Sequence, residues 1–274
     1  MISRDPSLLA IDQHFAVVIA GAESVLAPRG YGLQLHLVGE APAAETLAYR
    51  QLVRERRVDG FILTESRIAD PRFELLAEAD VPFVLIGTPW RPQPDVPHVR
   101  AAHPEVGLQD LGHHLVSAGH ERILYVSGPD DRVHTGYRRD VFTQALLAAN
   151  GPAPHIISTA FNAEDAARVT REALSGPRRP TAIVFANDTM AVAGMSEAHR
   201  MGLGVPADLA VVGHDDLPIG QWVHPRLTTV AQDVRGLGGA AAARLLSSLD
   251  ESVDLVPPVL DPRLIVRAST LGQA

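Results

Sequence analysis

"TAIVFANDTMAVAGMSEAHRMGLGVPADLAVVGHDD", residues 181–216, contains two short apolar runs, Thr181–Asp188 and Leu209–Asp216, with room for a helix between them. Both runs are rich in Val, Ile, Leu and Phe and lack strict polar alternation, as strands covered on both faces do. A strand, a helix and a second strand of this kind make a parallel crossover unit. The same reading extends outward. "YGLQLHLVG" (31–39), "VDGFILTES" (58–66), "VPFVLIG" (81–87) and "ERILYVSG" (121–128) are further strands. Segments of helical period lie between them. Phe15, Val18, Ile19, Ala22 and Leu26 form one stripe, with Gly30 placed to end its helix. Leu108, Leu111, Leu115 and Ala118 form a second, closed by Gly119. Val141, Phe142, Ala145, Leu146 and Ala149 form a third, stopped at Asn150-Gly151, and Val234, Leu237, Ala241 and Leu245 form a late one.

The alternation predicts an α/β protein of parallel sheets with helices on both faces. The strands are too numerous for one ordinary open sheet, and 274 residues suit two lobes. "TPWRPQPDVPHVRAAHPE" (88–105), with five prolines, serves as the first crossing between them. Ligands in such folds sit beyond the carboxyl ends of the strands. The positions that matter are therefore Thr64 and Glu65, Gly87 and Thr88, Asn187 and Asp188, Asp215 and Asp216.

Composition narrows the chemistry. With 46% apolar and 20% charged residues the chain is globular, and its net charge of −8 disfavours an unaided grip on nucleic acid. All 24 basic residues are Arg, which reads as the coding bias of a GC-rich genome. The absence of Cys excludes disulfides, thiolate catalysis and Cys-based zinc sites. "MISRDPSLLAIDQHF" does not read as a signal peptide, and no apolar run approaches the ~20 residues of a membrane span. The expectation is a cytoplasmic bacterial protein without a membrane partner.

Asp215-Asp216 at the mouth of a strand suggests a metal site, an acid/base pair or a clamp for a polar ligand. Adjacent side chains in an extended segment diverge, and no third ligand has suitable spacing, so no metal is expected. His113 and His120 are about 10 Å apart along a helix, too far for one ion. No H-E-x-x-H, G-x-S-x-G or Walker A pattern occurs, and "GLGG" (236–239) lies within a helix and does not follow a strand. No catalytic residue and no cofactor is implied. The clamp remains.

At this point the chain resembles a family. "VDGFILTES", "VPFVLIG", "GHERILYVSGP", "RRDVFTQAL", the stretch 180–216, "PRLTTVAQD" and "DPRLIVRAST" occur in the order found in the ligand-sensing part of LacI-type transcriptional regulators. The resemblance covers roughly residues 11–272 and is densest over 180–232. It implies a two-lobe periplasmic-binding-protein-like fold with three hinge crossings, near 102, 232 and 260. The lobes would be 1–102 with 233–260, and 103–232 with 261–274. It further implies a homodimer and a small effector, a sugar or related polyol, held between the lobes. Operator DNA would be read only through an N-terminal helix-turn-helix. Nothing like that element precedes Met1, and most of the first strand is missing before Ile2-Ser3, so a fragment or a shortened reading frame is expected.

Carried over residue by residue, the resemblance makes Asp215 the ligand-clamping aspartate and Arg138 the ligand-binding arginine, although Val141 replaces the family's glycine beside Phe142. Asp216 reads as a cap of the following turn. Asn187 reaches the ligand or caps the next helix, a cap that Asp188 could supply instead. Phe161 stands where the family stacks an aromatic on its ligand, and also where a hydrophobic staple before Asn162 would stand. His14 and Phe15 match the first-lobe aromatic pair, with core packing the alternative for Phe15. Gln232 lies at the second crossing, and Glu65 follows a strand end. Trp222 lines the cleft mouth or a subunit contact. The family's acidic-Asn pattern reads here Val99-Arg100-Ala101-Ala102-His103, which leaves any contact there in question. A solute-binding protein of a transport system is the alternative function. A sugar- or nucleotide-processing enzyme lacks a defensible catalytic pair.

Overall fold

The computed structural model describes residues 2–4, 13–38, 42–90, 96–249 and 258–271. In chain order the first elements are β1 (Ile2–Arg4), α1 (Gln13–Leu26), β2 (Leu35–Leu37), α2 (Pro42–Arg54), β3 (Phe61–Leu63), α3 (Pro71–Glu78), β4 (Phe83–Ile86) and β5 (His98–Val99). There follow α4 (Val106–Ser117), β6 (Ile123–Ser127), α5 (Val133–Ala148), β7 (His155–Ser158), α6 (Ala163–Ser175), β8 (Ala182–Phe185), α7 (Asp188–Arg200) and β9 (Ala210–Asp215). The last are α8 (Ile219–Trp222), β10 (Thr228–Ala231), α9 (Val234–Ser247) and β11 (Arg263–Ile265). The chain divides into two compact units, Met1–Ala102 with Asp233–Leu260, and His103–Gln232 with Asp261–Ala274.

In the first unit β3, β4 and β5 form a three-stranded parallel sheet, and β1 pairs in parallel with β2. Ile2–Arg4 forms a short strand, with Ile2, Ser3 and Arg4 in register with Leu35, His36 and Leu37. The strand expected over 31–39 shortens to Leu35–Leu37, with residues 31–34 and 38 outside it and Gly39 outside the described residues. Helix α1 buries Phe15, Val18, Ala22 and Leu26 of the stripe read from the sequence, with Ile19 partly buried, and Gly30, at φ 78°, ends the following 3-10 turn by donating its N–H to Ala27 O. Helix α9 packs on α1 at backbone distance. A Cβ on Gly21 would lie 2.1 Å from Arg235 O, and one on Gly238 2.1 Å from Val18 O. That is the use of "GLGG". In an isolated helix Gly→Ala gains up to ~1 kcal/mol. Here Gly238→Ala is expected to lower stability by ~1–3 kcal/mol, because the helices must part. Urea unfolding measures it, and an unchanged or raised midpoint would contradict the packing.

The second unit is one six-stranded sheet in the order β11-β10-β9-β8-β6-β7. All its pairs are parallel except β10 with β11, so the expected parallel sheet is corrected at one edge. Residues alternate between faces, as a strand's period of two requires. Leu124, Val126, Ile183, Phe185 and Val211 pack with α6 and α7 residues such as Val169 and Met195. Ile123, Tyr125, Ala182, Val184, Ala210 and Val212 pack with Leu108, Leu111, Leu115, Phe142 and Leu146 of α4 and α5. Helices therefore cover both faces. Ala118, expected in the α4 stripe, is exposed because the helix has already ended at Ser117.

Candidate functional site

Parallel strands deliver their carboxyl ends to one edge of a sheet. In the second unit that edge carries, in strand order, Gln232 after β10, Asp215 ending β9, Asn187 after β8, Gly128 after β6 and, beyond β7, Phe161. Four candidates separated in the sequence, together with Gly128, become one row. Helix α5 rises from the same edge and adds Arg138, whose Nη1 donates to Ala186 O at 3.4 Å, next to Asn187. Arg138 and Asp215 both act on the buried Tyr125 hydroxyl. Its pKa is pushed up, first by burial, with Arg138 and Arg139 opposing and Asp215 adding.

The centre of the row is a strained turn. Asp215 and Asp216 both have positive φ, 97° and 54°, in the region that non-glycine residues avoid. Asp215 Oδ1 accepts from Gln232 Nε2 at 2.6 Å, so two residues singled out in the sequence meet directly. Asp216 is paired with Arg267 Nη2 at 2.6 Å; a salt bridge replaces the turn cap expected of it. Asn187 caps α7, its side-chain oxygen accepting from Met190 N at 2.8 Å. The amide nitrogen takes no part in that bond.

At the far end Phe161, with φ 60°, packs against the same core as Ala166, as a staple before the Asn162 cap would. It also stacks on His134, ring centroids 5.7 Å apart and planes 14° from parallel. The approach demands glycine at 128, where a Cβ would sit 1.9 Å from the Phe161 ring. Arg132 leads into α5 here. Its Nε and Nη1 are enclosed without a hydrogen-bond partner among the described residues, Asp131 lying 3.7 Å from Nη1. Thr135 Oγ1, in the first turn of α5, is enclosed in the same way. Sequence reasoning passed over Arg132 and began α5 at Val141, because the first two turns offer no apolar stripe.

It also missed the partner of the turn. Asp188, which the sequence placed after a strand end without a role at the site, is 0% exposed. Its Oδ1 accepts from Thr229 Oγ1 at 2.7 Å and its Oδ2 from Leu217 N at 2.5 Å. Burial pushes its pKa up to about 7; the Thr229 and Leu217 hydrogen bonds oppose the shift, and the charges of Asp215 and Asp216 add to it. Gly213 makes room, since a Cβ there would lie 2.1 Å from Asp188 Oδ1.

The remaining candidates are placed differently. His14 and Phe15 open α1 in the first unit, and Phe15 is 1% exposed within the core that holds Val18 and Ala22. Packing, the alternative to a ligand-facing ring, describes Phe15, whose side chain continues the helix stripe. Glu65, at φ 52°, follows β3 of the same unit, and its carbonyl accepts from Arg72 Nη2 at 3.2 Å. Trp222 ends α8 with 85% of its surface exposed, outside the row. Among the described residues no three His, Asp or Glu side chains gather where a metal ion would be held.

Residues 113–270 match the family model described as a periplasmic binding protein-like domain. The chain is 29% identical over 265 residues to the HTH-type transcriptional repressor CytR of Escherichia coli, covering 94% of this chain and 76% of that one. It is 30% identical over 259 residues to the HTH-type transcriptional repressor PurR of Photobacterium profundum, covering 93% and 77%. Among solved structures it is similar to a complex of the transcriptional regulator CelR with cellobiose, with TM-score 0.85 and 26% identity over 98% of this chain and 83% of that one. The family model spans more than half of the sequence, and the second repressor extends the likeness to nearly all of it. The chain belongs to the LacI-type family of transcriptional regulators and carries their periplasmic-binding-protein-like, effector-binding domain.

Proposed function

We propose that the second unit binds a small polyol, a mono- or disaccharide, along the carboxyl edge of its sheet. The observation that carries this reading is the row itself. A cation at Arg138, a carboxylate at Asp215 and an amide at Asn187 stand on one edge, with the Phe161–His134 ring pair at its end. Sugar hydroxyls donate to a carboxylate and accept from a guanidinium, and a pyranose face suits an aromatic ring. Arg132 adds donors at the same end of the row. The cellobiose held by CelR supports the ligand class. A thermal-shift panel of mono- and disaccharides tests it, since a ligand that binds only the folded state raises its melting temperature. A panel without a single shift would count against the reading.

Binding controls transcription only if the effector prefers one conformational state of the regulator, because equal affinity for two states shifts neither. In this reading the chain is cytoplasmic and catalyses nothing, and the DNA is read by a helix-turn-helix outside the residues present. Among the described residues no helix is long and apolar enough to cross a membrane. The net charge of −8 fits a sensing part that leaves phosphate contacts to another segment. The family resemblance also makes the protein a homodimer, as a palindromic operator favours. Sedimentation at micromolar concentration is expected to give twice the 29.3 kDa chain mass, and a monomer across that range would contradict it.

A further inference from the structure

We propose that Asp188 is the positioning residue of the effector site: its buried carboxyl group fastens the turn that carries Asp215, and the proton it gains or loses sets the negative charge beside Asp215. The inference rests on the reading of Asp215 as an effector contact.

The geometry is a latch. Asp188 opens α7, while the groups it holds come from other elements, Leu217 N beyond β9 and Thr229 Oγ1 on β10. Thr229 Oγ1 in turn accepts from Asp216 N at 3.3 Å. One carboxyl group thus restrains both ends of a turn whose two acidic residues sit at unfavourable backbone angles. Among the described residues no cation is paired with its oxygens. The basic group beside the turn, Arg267, is engaged by Asp216 at 2.6 Å, and Arg138 on α5 spends Nη1 on Ala186 O. From β9 the titratable groups near the latch are Asp215, Asp216 and, on the strand itself, the buried His214. From β10 there is the Thr229 hydroxyl, and α8 (Ile219–Trp222) brings no charged side chain.

Protonation does not open the latch. A hydroxyl both donates and accepts, so the Asp188–Thr229 contact survives with its direction reversed, and Oδ2 still accepts from Leu217 N–H. What changes is charge. With Asp188 ionised, its charge is set against those of Asp215 and Asp216; with Asp188 neutral, that repulsion is relieved. An effector that displaces water from Asp215 makes the doubly charged form costlier, so binding draws a proton onto Asp188. Affinity for a neutral sugar then falls as pH rises from 6 to 8, by at most about tenfold per unit for one linked proton.

Asp188→Asn imitates the protonated acid, its amide donating to Thr229 Oγ1 and its oxygen accepting from Leu217 N–H. The test is a pH titration of the ligand-free chain from 5 to 9, followed by NMR at aspartate carboxyl carbons and backbone amides. Three signals are expected to move with one midpoint near neutrality: the Asp188 carboxyl, the Asp215 carboxyl and the Leu217 amide. In Asp188→Asn the neutral-pH movement of the last two is lost while the rest of the amide spectrum is kept. Thermal unfolding supplies a second readout. The folded-state pKa of Asp188 is raised, so its stabilisation is complete below the ordinary carboxyl value, is lost as pH climbs through about 7, and flattens above that. The parent therefore loses melting temperature between pH 5 and 8 relative to Asp188→Asn. A Leu217 amide and an Asp215 carboxyl that stay flat through neutrality would overturn the proposal, as would an unchanged titration in Asp188→Asn. These readouts need no effector. A latch that titrates as described, in a protein whose sugar affinity ignores Asp215→Asn, would instead refute the clamp.

Discussion

Replacing Arg72 by Ala is expected to cost ~3–5 kcal/mol of folding stability, the range for removing one partner of a buried ion pair. Arg72 is 5% exposed in the first unit. Its Nη2 lies 2.6 Å from Asp70 Oδ2 and its Nη1 3.5 Å from Glu45 Oε1, and Nη2 also donates to Thr64 O at 3.0 Å. Without the guanidinium, Asp70 loses its charged partner, Glu45 is left with Arg67 at 2.7 Å, and the Thr64 and Glu65 carbonyls just past β3 lose a donor. Tyr49, buried beside them, already has its pKa pushed up to about 12 by burial. A total stability of roughly 5–15 kcal/mol makes such a loss decisive. Urea unfolding at neutral pH measures it, and a change below ~1 kcal/mol would mean the ion cluster is marginal. The sign of the pH dependence is also fixed. Burial alone would raise the Asp70 pKa, but the Arg72 hydrogen bond and charge bring it below the ordinary value. Its contribution is present above that value and lost as pH falls through the folded pKa, so the gap between parent and variant narrows in acid.

Arg138→Ala and Asp215→Asn are each expected to weaken effector binding by roughly ten- to a hundredfold, or ~1.5–3 kcal/mol per lost charge-assisted hydrogen bond. Neither change empties a core position. Arg138 is half-buried and spends one 3.4 Å contact on Ala186 O, and Asp215 Oδ1 bonds to Gln232, which an Asn oxygen can replace. Unliganded melting temperatures should therefore stay close to the parent's. Calorimetry with any sugar found in the panel separates the two effects. Parent-like affinity in both variants would place the clamp elsewhere, whereas lost affinity with a collapsed melting temperature would show only damage to the fold.

Periodicity made much of the architecture legible, because apolar spacing records burial. The Phe15-to-Leu26 stripe, the Leu108–Leu115 stripe and the strands β8 and β9 all sit in cores as read. The polar interior was not legible. Asp188, Thr228, Thr229 and Ser269 are buried through partners distant in sequence, such as Thr228 N with Ser269 Oγ at 2.8 Å, and no local pattern announces them. The start of α5 was hidden for a related reason. His134, Thr135, Gly136 and Tyr137 break the apolar period where the helix meets the sheet edge, and Arg132 lies just before them. Motif order supplied Arg138, Asn187, Asp215 and Gln232; the fold supplied the reason they are neighbours, a strand order that sequence order does not give. At Phe15 the motif position and the helix stripe coincide, and the side chain is buried in the core of the first unit.

The most direct test of the effector site is NMR mapping on the labelled chain with a sugar that shifts its melting temperature. The largest perturbations are expected at Arg138, Asn187, Asp215 and Gln232, with Phe161 ring signals moving alongside them. Saturating shifts confined to other surfaces, with those five residues unmoved, would contradict the account.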